Sequence, residues 1–229
     1  MTDVSKQLRA KLAEVAEIVL PEIVTVQTSS DGTEKLLLRL RDGALVETVI
    51  LPSTGQDGSV RIAQCVSSQI GCAMGCTFCS TGTMGFIRNM TAGEILSQVL
   101  VARMRLGDNR IDHPIIRNLV FMGMGEPLDN LDEVLKALEI MTASYGYGWS
   151  PKRITLSTVG LRKGFQRFIE ESECHLAVSL HSPVALQRRE LMPAEKSFSI
   201  TEMVDLLKNY DFSKQRRLCL LYTSDAADD

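Results

Sequence analysis

The sequence predicts an α/β protein built as an open or partial (β/α) barrel, preceded by a helix and a small β-hairpin region. Two observations carry this. From residue 61 onward, short apolar segments alternate with segments of helical periodicity, the pattern of parallel strands joined by helical crossovers. Four or five such units are present, fewer than a complete barrel needs.

Residues 1–24 place charged and apolar residues at helical spacing and are expected to form an amphipathic helix ending near Pro21. Ser29–Gly32 reads as a turn. KLLLRL (35–40) and LVETVIL (45–51) are expected strands, joined by Arg41-Asp42-Gly43-Ala44, whose Asp-Gly pair favours a hairpin. PSTGQDGS (52–59) reads as a loop and RIAQCVSS (61–68) as the next strand. A helix over 91–106 is predicted, with Thr91 as N-cap and Glu94 in capping-box position. Next come a strand over 118–123, a helix over 131–142, a strand over 153–158 and a helix over 161–172. A strand over 175–180, a helix over 200–210 and a strand over 216–222 complete the series. No internal repeat or low-complexity segment interrupts it.

The chain has 229 residues, 45% hydrophobic and 23% charged, enough for one sizeable core. No apolar run approaches the ~20 residues that span a membrane. The first residues lack the unbroken apolar stretch and cleavage site of a secretory signal. The expected setting is the cytoplasm, or an organelle matrix, where thiols stay reduced. The formal net charge is −3, but the closing DAADD carries Asp225, Asp228 and Asp229, so charge alone excludes no partner.

Three of the six cysteines, Cys72, Cys76 and Cys79, fall in CAMGCTFC at spacing C-x3-C-x2-C. A chain of this size has no need of disulfide staples, so metal binding is the better reading. A structural zinc site takes four protein ligands, often from two C-x2-C pairs, and no second pair is present here. Zinc would have to recruit Cys65, Cys174 or a histidine. A cubane iron–sulfur cluster on three cysteines leaves one iron open to chelate a small molecule. Spacing alone leaves open the cluster, zinc and unliganded packing thiols.

Further groups gather at the ends of later strands. FMGMGEP (121–127) sets two glycines one residue apart, which can let backbone approach a ligand, and Glu126, which can accept from an ammonium. A plain glycine-rich turn before Pro127 reads equally well. LSTVG and VSLHSP deliver Ser157, Ser179 and His181 to strand ends, the face where β/α sheets place ligands. One such serine is more often an ordinary turn residue; several at one mouth make a constellation. His175, at a strand start, reads as structural.

With Phe78 just before the third cysteine, the pattern C-x3-C-x-aromatic-C after the first strand of a β/α series resembles the radical S-adenosylmethionine superfamily. CVSSQIGCAMGCTFCSTGTMGFIRNMTAGEI, FMGMGEPLDN, RITLSTVG and AVSLHSP resemble one branch of it, over roughly residues 5–217. That branch comprises the dual-specificity methyltransferases that act on carbon 2 of an adenine in 23S ribosomal RNA and in certain transfer RNAs. DGTEKLLLRLRDGALVETVILP looks like the small region ahead of its barrel.

The resemblance implies a partial barrel of the radical SAM type. It implies a 4Fe-4S cluster on Cys72, Cys76 and Cys79, whose open iron binds S-adenosyl-L-methionine. Gly125 and Glu126 would hold the methionyl amine, and Phe78, Ser157, Ser179, Leu180 and His181 would complete the cofactor site. In the family an electron from the cluster cleaves the sulfonium to a 5′-deoxyadenosyl radical. The radical removes hydrogen from an S-methylated cysteine, and the resulting carbon radical adds to the adenine. A second cysteine releases the product by forming a transient disulfide, and a base removes the proton from the adenine carbon. Cys65 matches that second cysteine and Glu47 the base. Without the resemblance they read as a buried strand thiol and a solvent-facing strand position.

The methyl-carrying cysteine of the family matches nothing in this chain; Cys219 lies too early and inside a strand. LYTSDAADD also matches nothing. The expectation is therefore a fragment: residues 1–60 a remnant of the accessory region, 61–217 the radical SAM core, truncated at its C-terminus, and 218–229 a non-native tail. Implied partners are 23S ribosomal RNA and transfer RNA and an electron donor such as flavodoxin, with a monomeric protein and no membrane. Arg103, Arg105, Arg110, Arg117, Lys152, Arg153, Arg162, Lys163, Arg167, Arg188 and Arg189 supply basic groups, but basic residues on helices are usually solvated faces, so they do not by themselves mark an RNA surface. Competing readings are the sister enzyme that methylates carbon 8 of the same adenine, a non-catalytic iron–sulfur carrier and a zinc module.

Overall fold

The first helix is shorter than its pattern suggests, and a strand comes directly after it in the fold. The computed structural model describes residues 4–55, 58–108, 114–211 and 218–221. α1 spans Lys6–Val15 with Ser5 as N-cap, and none of its residues is buried. β1 (Glu22–Thr28) begins directly after Pro21. Its EIVTVQT is rich in β-branched residues, a strand signal that begins inside the stretch expected to be helical.

β2 (Glu34–Arg39) and β3 (Leu45–Thr54) form the expected hairpin, in antiparallel register Leu37 to Glu47. Gly43 sits at φ 87° in its turn, where Leu40 N–H donates to Ala44 O at 2.8 Å. β3 runs on through Pro52, beyond the last residue paired with β2, where the missing N–H costs that ladder nothing. β4 (Val60–Cys65) returns antiparallel, pairing Val49 with Cys65.

β5 (Gln69–Gly71), α2 (Ser80–Thr83) and β6 (Phe86–Asn89) come next, with β5 and β6 pairing as a separate two-stranded ribbon. α3 (Ala92–Arg105) carries the full Thr91–Glu94 capping box. Then come β7 (Ile116–Phe121), α4 (Leu131–Thr142), β8 (Ile154–Thr158), α5 (Arg162–Glu171) and β9 (His175–Ser179). α6 (Ala185–Leu191), which the sequence pattern does not announce, precedes α7 (Ile200–Lys208) and β10 (Leu218–Leu221).

The main sheet has eight strands in the order β1-β2-β3-β4-β7-β8-β9-β10. β1 to β4 are an antiparallel meander; from β4 onward every pairing is parallel. Among the described residues the sheet is open, in keeping with a partial barrel. α3 packs on α4 and α4 on α5. The core between sheet and helices includes Leu119, Phe121, Ile154, Leu156, Leu176 and Val178 from the strands and Ile95, Val99, Val134, Leu138, Phe165 and Phe168 from the helices. Strand periodicity puts the alternate residues on the other face. There Glu47, Cys65, Ser157 and Ser179 are only half-buried.

Candidate active site

The cysteine loop hangs from the β5–β6 ribbon. Gly71 (φ 74°) closes its base: a Cβ there would land on the Gly85 carbonyl, and Cys72 N–H donates to that oxygen at 2.9 Å. The far side is tied to α6, with Thr77 N–H donating to Leu191 O at 3.0 Å. Cys79 then caps α2. Burial pushes the Cys76 thiol up to about 11, with the charges of Cys72 and Cys79 adding to it. Cys72 is raised too, by burial first and then by Glu126, Cys79 and Asp129.

The GMGEP turn at the end of β7 lies on the chain that leads from β4 into β5. Gly123 N–H donates to Val66 O at 3.1 Å, and Ser68 N–H to Met124 O at 2.9 Å. A Cβ on Gly125 (φ 94°) would fall within 2.7 Å of Gln69 Cγ, and one on Gly123 within 2.8 Å of Val66 O. The sequence suggests a ligand as the reason for these glycines; both are already needed for this contact of chain on chain.

Glu126 is 3% exposed. Its carboxylate accepts from Thr158 Oγ1 at 2.6 Å, Val159 N–H at 3.0 Å and Leu128 N–H at 3.0 Å. Burial nevertheless pushes its carboxyl up to about 7 against those three bonds. A carboxylate offers about four acceptor positions, so one remains. Gln69, wholly buried, accepts from Glu126 N–H at 2.8 Å and donates to Asn89 and Asp129, fixing the turn against the ribbon.

One cavity of ≈ 250 Å³ joins these parts. Cys72, Cys76, Cys79 and Phe78 of the loop line it together with Gly125, Glu126, Ser157, Ser179 and His181 of the strand ends. The two serine hydroxyls, on neighbouring strands, are 3.4 Å apart. His181 sits at φ 51°, a strained conformation for a non-glycine residue, and its ring lies 4.4 Å from that of Phe78.

Other expected residues are placed elsewhere. Leu180 is absent from the cavity wall; it packs on the core and donates its N–H to Leu221 O at 2.8 Å. Glu47 and Cys65 also lie off the wall, at half-buried strand positions that alternate with core residues. Glu47 pairs with Lys35 at 3.1 Å, both half exposed. Burial pushes the Cys65 thiol up to about 11, although it accepts the N–H of Met122, which does line the cavity. All six cysteines are free thiols, so no disulfide is formed.

Of the basic residues noted in the sequence, Arg188 is wholly buried and paired with Glu195. Arg105, Arg162 and Arg167 are each paired with a carboxylate of this chain. Arg110 lies outside the described residues, as do residues 212–217 and 222–229. Sequence reasoning missed Thr158 and Val159, which hold Glu126. They stand beside Ser157 in LSTVG, but alternation puts Thr158 on the buried face with Ile154 and Leu156 and gives no hint that Glu126 is buried against it.

The residues fit an iron–sulfur cluster better than a single ion. One zinc needs its thiolates within about 2.3 Å of one point. Among the described residues, no three His, Cys, Asp or Glu side chains converge so closely. A cubane spreads three thiolates over three irons, and the three cysteines border one cavity with space beside them.

An α/β sheet with three cysteines and polar strand ends around one cavity is the arrangement that the resemblance to the radical SAM superfamily implies. The chain belongs to the radical SAM superfamily, whose family model matches residues 66–226. It is 56% identical to the dual-specificity RNA methyltransferase RlmN of Nitratidesulfovibrio vulgaris strain DP4, over 97% of this chain and 61% of that protein. It is 54% identical to the RlmN of Lawsonia intracellularis, over 97% and 62% of the two chains. A radical SAM methyltransferase from Sphaerobacter thermophilus superposes with a TM-score of 0.83 at 37% identity, over 96% of this chain and 63% of that one. The chain thus spans about 61% of the length of the first of these relatives. The family match runs past residue 217, and Leu218–Leu221 form a strand of the sheet.

Proposed function

We propose that this chain holds a 4Fe-4S cluster on Cys72, Cys76 and Cys79 and S-adenosyl-L-methionine in the adjoining cavity. In this reading it serves an RNA methyltransferase that modifies carbon 2 of adenine in 23S ribosomal RNA and transfer RNA. The observation that carries the reading is that the cysteines, Glu126 and the strand-end polar groups all line one cavity. RNA as substrate is inferred from relatives named as RNA methyltransferases. A cytoplasmic monomer served by an electron donor such as flavodoxin completes the proposal, with residues 61–217 as the cofactor-binding core and 1–60 as the accessory region. Among the described residues no helix is long and apolar enough to cross a membrane.

Held by Cys72, Cys76 and Cys79, a cluster would supply one-electron chemistry to the sulfonium of the coenzyme. The chain's own residues bind and orient. Glu126 offers its remaining acceptor position to the methionyl ammonium, with Gly125 beside it, a charge-assisted bond of roughly 1.5–3 kcal/mol. Phe78 and His181 present a paired ring surface, and Ser157 and Ser179 present hydroxyls. Glu47 takes the adenine proton at its carboxylate. Its backbone is tied to the GMGEP turn, since Ser67 Oγ donates to Glu47 O at 2.6 Å and accepts Met124 N–H at 2.8 Å. Cys65, on the same face as Glu47, is the thiol that would attack the sulfur of the family's methyl-carrying cysteine, breaking its bond to the transferred carbon; that partner cysteine has no match in this chain.

The test is anaerobic reconstitution followed by reduction with S-adenosyl-L-methionine present. Release of methionine and 5′-deoxyadenosine is expected. A reconstituted chain that binds iron but neither binds nor cleaves the coenzyme would make it an electron carrier instead. The family's methyl-carrying cysteine has no match in this chain, so RNA digested after incubation with it should show no methyladenine by mass spectrometry; 2-methyladenine and 8-methyladenine are distinguished with a longer protein that carries that cysteine.

A further inference from the structure

A guanidinium is buried where an apolar side chain would serve stability better. Arg188, on α6, is fully buried, and its Nε finds no hydrogen-bond partner among the described residues. Burying a charge with an unmet donor is costly, and an apolar residue of similar volume is often neutral or better. The bonds it does make run to two strand ends. Its Nη2 donates to Val159 O at 2.8 Å, just past β8, and to Ser179 O at 3.0 Å, the last residue of β9. Its Nη1 pairs with Glu195, whose carboxylate also accepts Ile200 N–H at 3.0 Å.

Val159 is thereby held from both sides. Its N–H donates to Glu126 and its carbonyl accepts from Arg188. A continuous chain of bonds links Glu126 after β7, Val159 after β8, Arg188 and Ser179 at the end of β9. Glu126, Val159 and Ser179 all line the cavity; Arg188 does not.

We propose that Arg188, aimed by Glu195, is a positioning residue that fixes the β8 and β9 ends at the separation S-adenosyl-L-methionine requires. The inference rests on the reading of this cavity as the cofactor site.

The experiment uses the 229-residue chain with Arg188→Met, Arg188→Lys and Glu195→Gln. Three quantities are measured: iron bound on reconstitution, the Kd for S-adenosyl-L-methionine by equilibrium dialysis, and amide hydrogen exchange without the coenzyme. Arg188→Met should bind iron normally and lose roughly tenfold or more in affinity, the scale of one or two charge-assisted bonds. Exchange should quicken at Val159 and Leu180 while the α4 and α5 amides stay protected. Arg188→Lys, which keeps the charge but not the fork, should recover part of the affinity.

Unchanged affinity in Arg188→Met overturns the proposal. So does exchange that rises evenly through the whole chain, which marks a general structural role. Should Arg188→Met fail to fold, Glu195→Gln decides: a loss of affinity with local loosening of the same two strand ends supports the proposal, and wild-type affinity overturns it. Failure of the unaltered chain to bind the coenzyme would instead remove the cofactor reading, and it shows before any variant is compared.

Discussion

The rim where β7, β8 and β9 end and the hairpin that carries Glu47 hold the carboxylates of the proposed chemistry by different means. At the rim, Glu126 is buried, takes three hydrogen bonds and rests on glycines that admit no side chain. On the hairpin, Glu47 is half exposed, and its carboxylate forms an ion pair with Lys35. A site for an unvarying coenzyme gains from being built in advance, because the ordering cost is met when the protein folds. A group that meets a large substrate can stay hydrated until contact. The difference teaches that the two halves of the proposed chemistry should respond unequally to mutation.

The largest effect is expected at the cysteine loop, which shares the rim's cavity. Changing Cys72, Cys76 or Cys79 to Ala should abolish the visible absorption and bound iron of the reconstituted protein. Cys65→Ala and Cys174→Ala should leave both. Equal loss from Cys174→Ala would mean that the cavity is not where the cluster sits.

Next comes Gly125→Ala, which adds a Cβ at positive φ against Gln69. The combined strain and overlap should cost about 2–5 kcal/mol in urea denaturation. Gly43→Ala shares the positive φ but meets nothing within 4 Å, and should cost about 1–2 kcal/mol. Equal costs would show that close packing of the GMGEP turn is not what separates rim from hairpin.

Glu126 gives a pH signature of intermediate size. Folding raises its pKa from 4.5 to about 7. The folded chain therefore binds more protons than the unfolded one between those values. The group's contribution to stability is fully present below pH 4.5 and is lost as pH rises through about 7, by roughly 3 kcal/mol. Denaturation of the coenzyme-free protein at pH 5 and pH 8, compared with Glu126→Gln, isolates this part; an unaltered pH slope in the variant would rule it out. In the loaded protein an ammonium beside Glu126 favours the carboxylate, so affinity for the coenzyme should improve as pH climbs through the same range.

The smallest effect belongs to the hairpin. Lys35→Ala removes an exposed ion pair and should change stability by less than about 1 kcal/mol. A greater loss, measured in the same denaturation assay, would show that the hairpin is pre-built in the manner of the rim.

Much of this architecture is legible from local pattern. The Thr91–Glu94 box, the Asp-Gly hairpin and the alternation of apolar strands with amphipathic helices each involve residues a few positions apart, and each forms where expected. The exceptions are informative. Helical spacing of charges hides the β-branched run of β1 after Pro21. The β5–β6 ribbon is invisible to periodicity because its strands are short and lie on either side of the cysteine loop. The polar residues of the motifs can be named from the sequence, but their partners cannot.

By itself the sequence determined the class of sheet, the helix boundaries set by caps, and three thiols close enough in the chain to share one site. Those properties depend on covalent neighbours, and chain order displays them directly. Only the tertiary structure decided that Glu126 is buried among donors from β8, that GMGEP needs its glycines to lie against the β4–β5 chain, that Leu180 faces the core, and that Arg188 binds strand ends rather than solvent. Each of these depends on hydrogen bonds and burial between residues far apart in the chain, and such contacts exist only once the sheet has set which strand ends lie side by side.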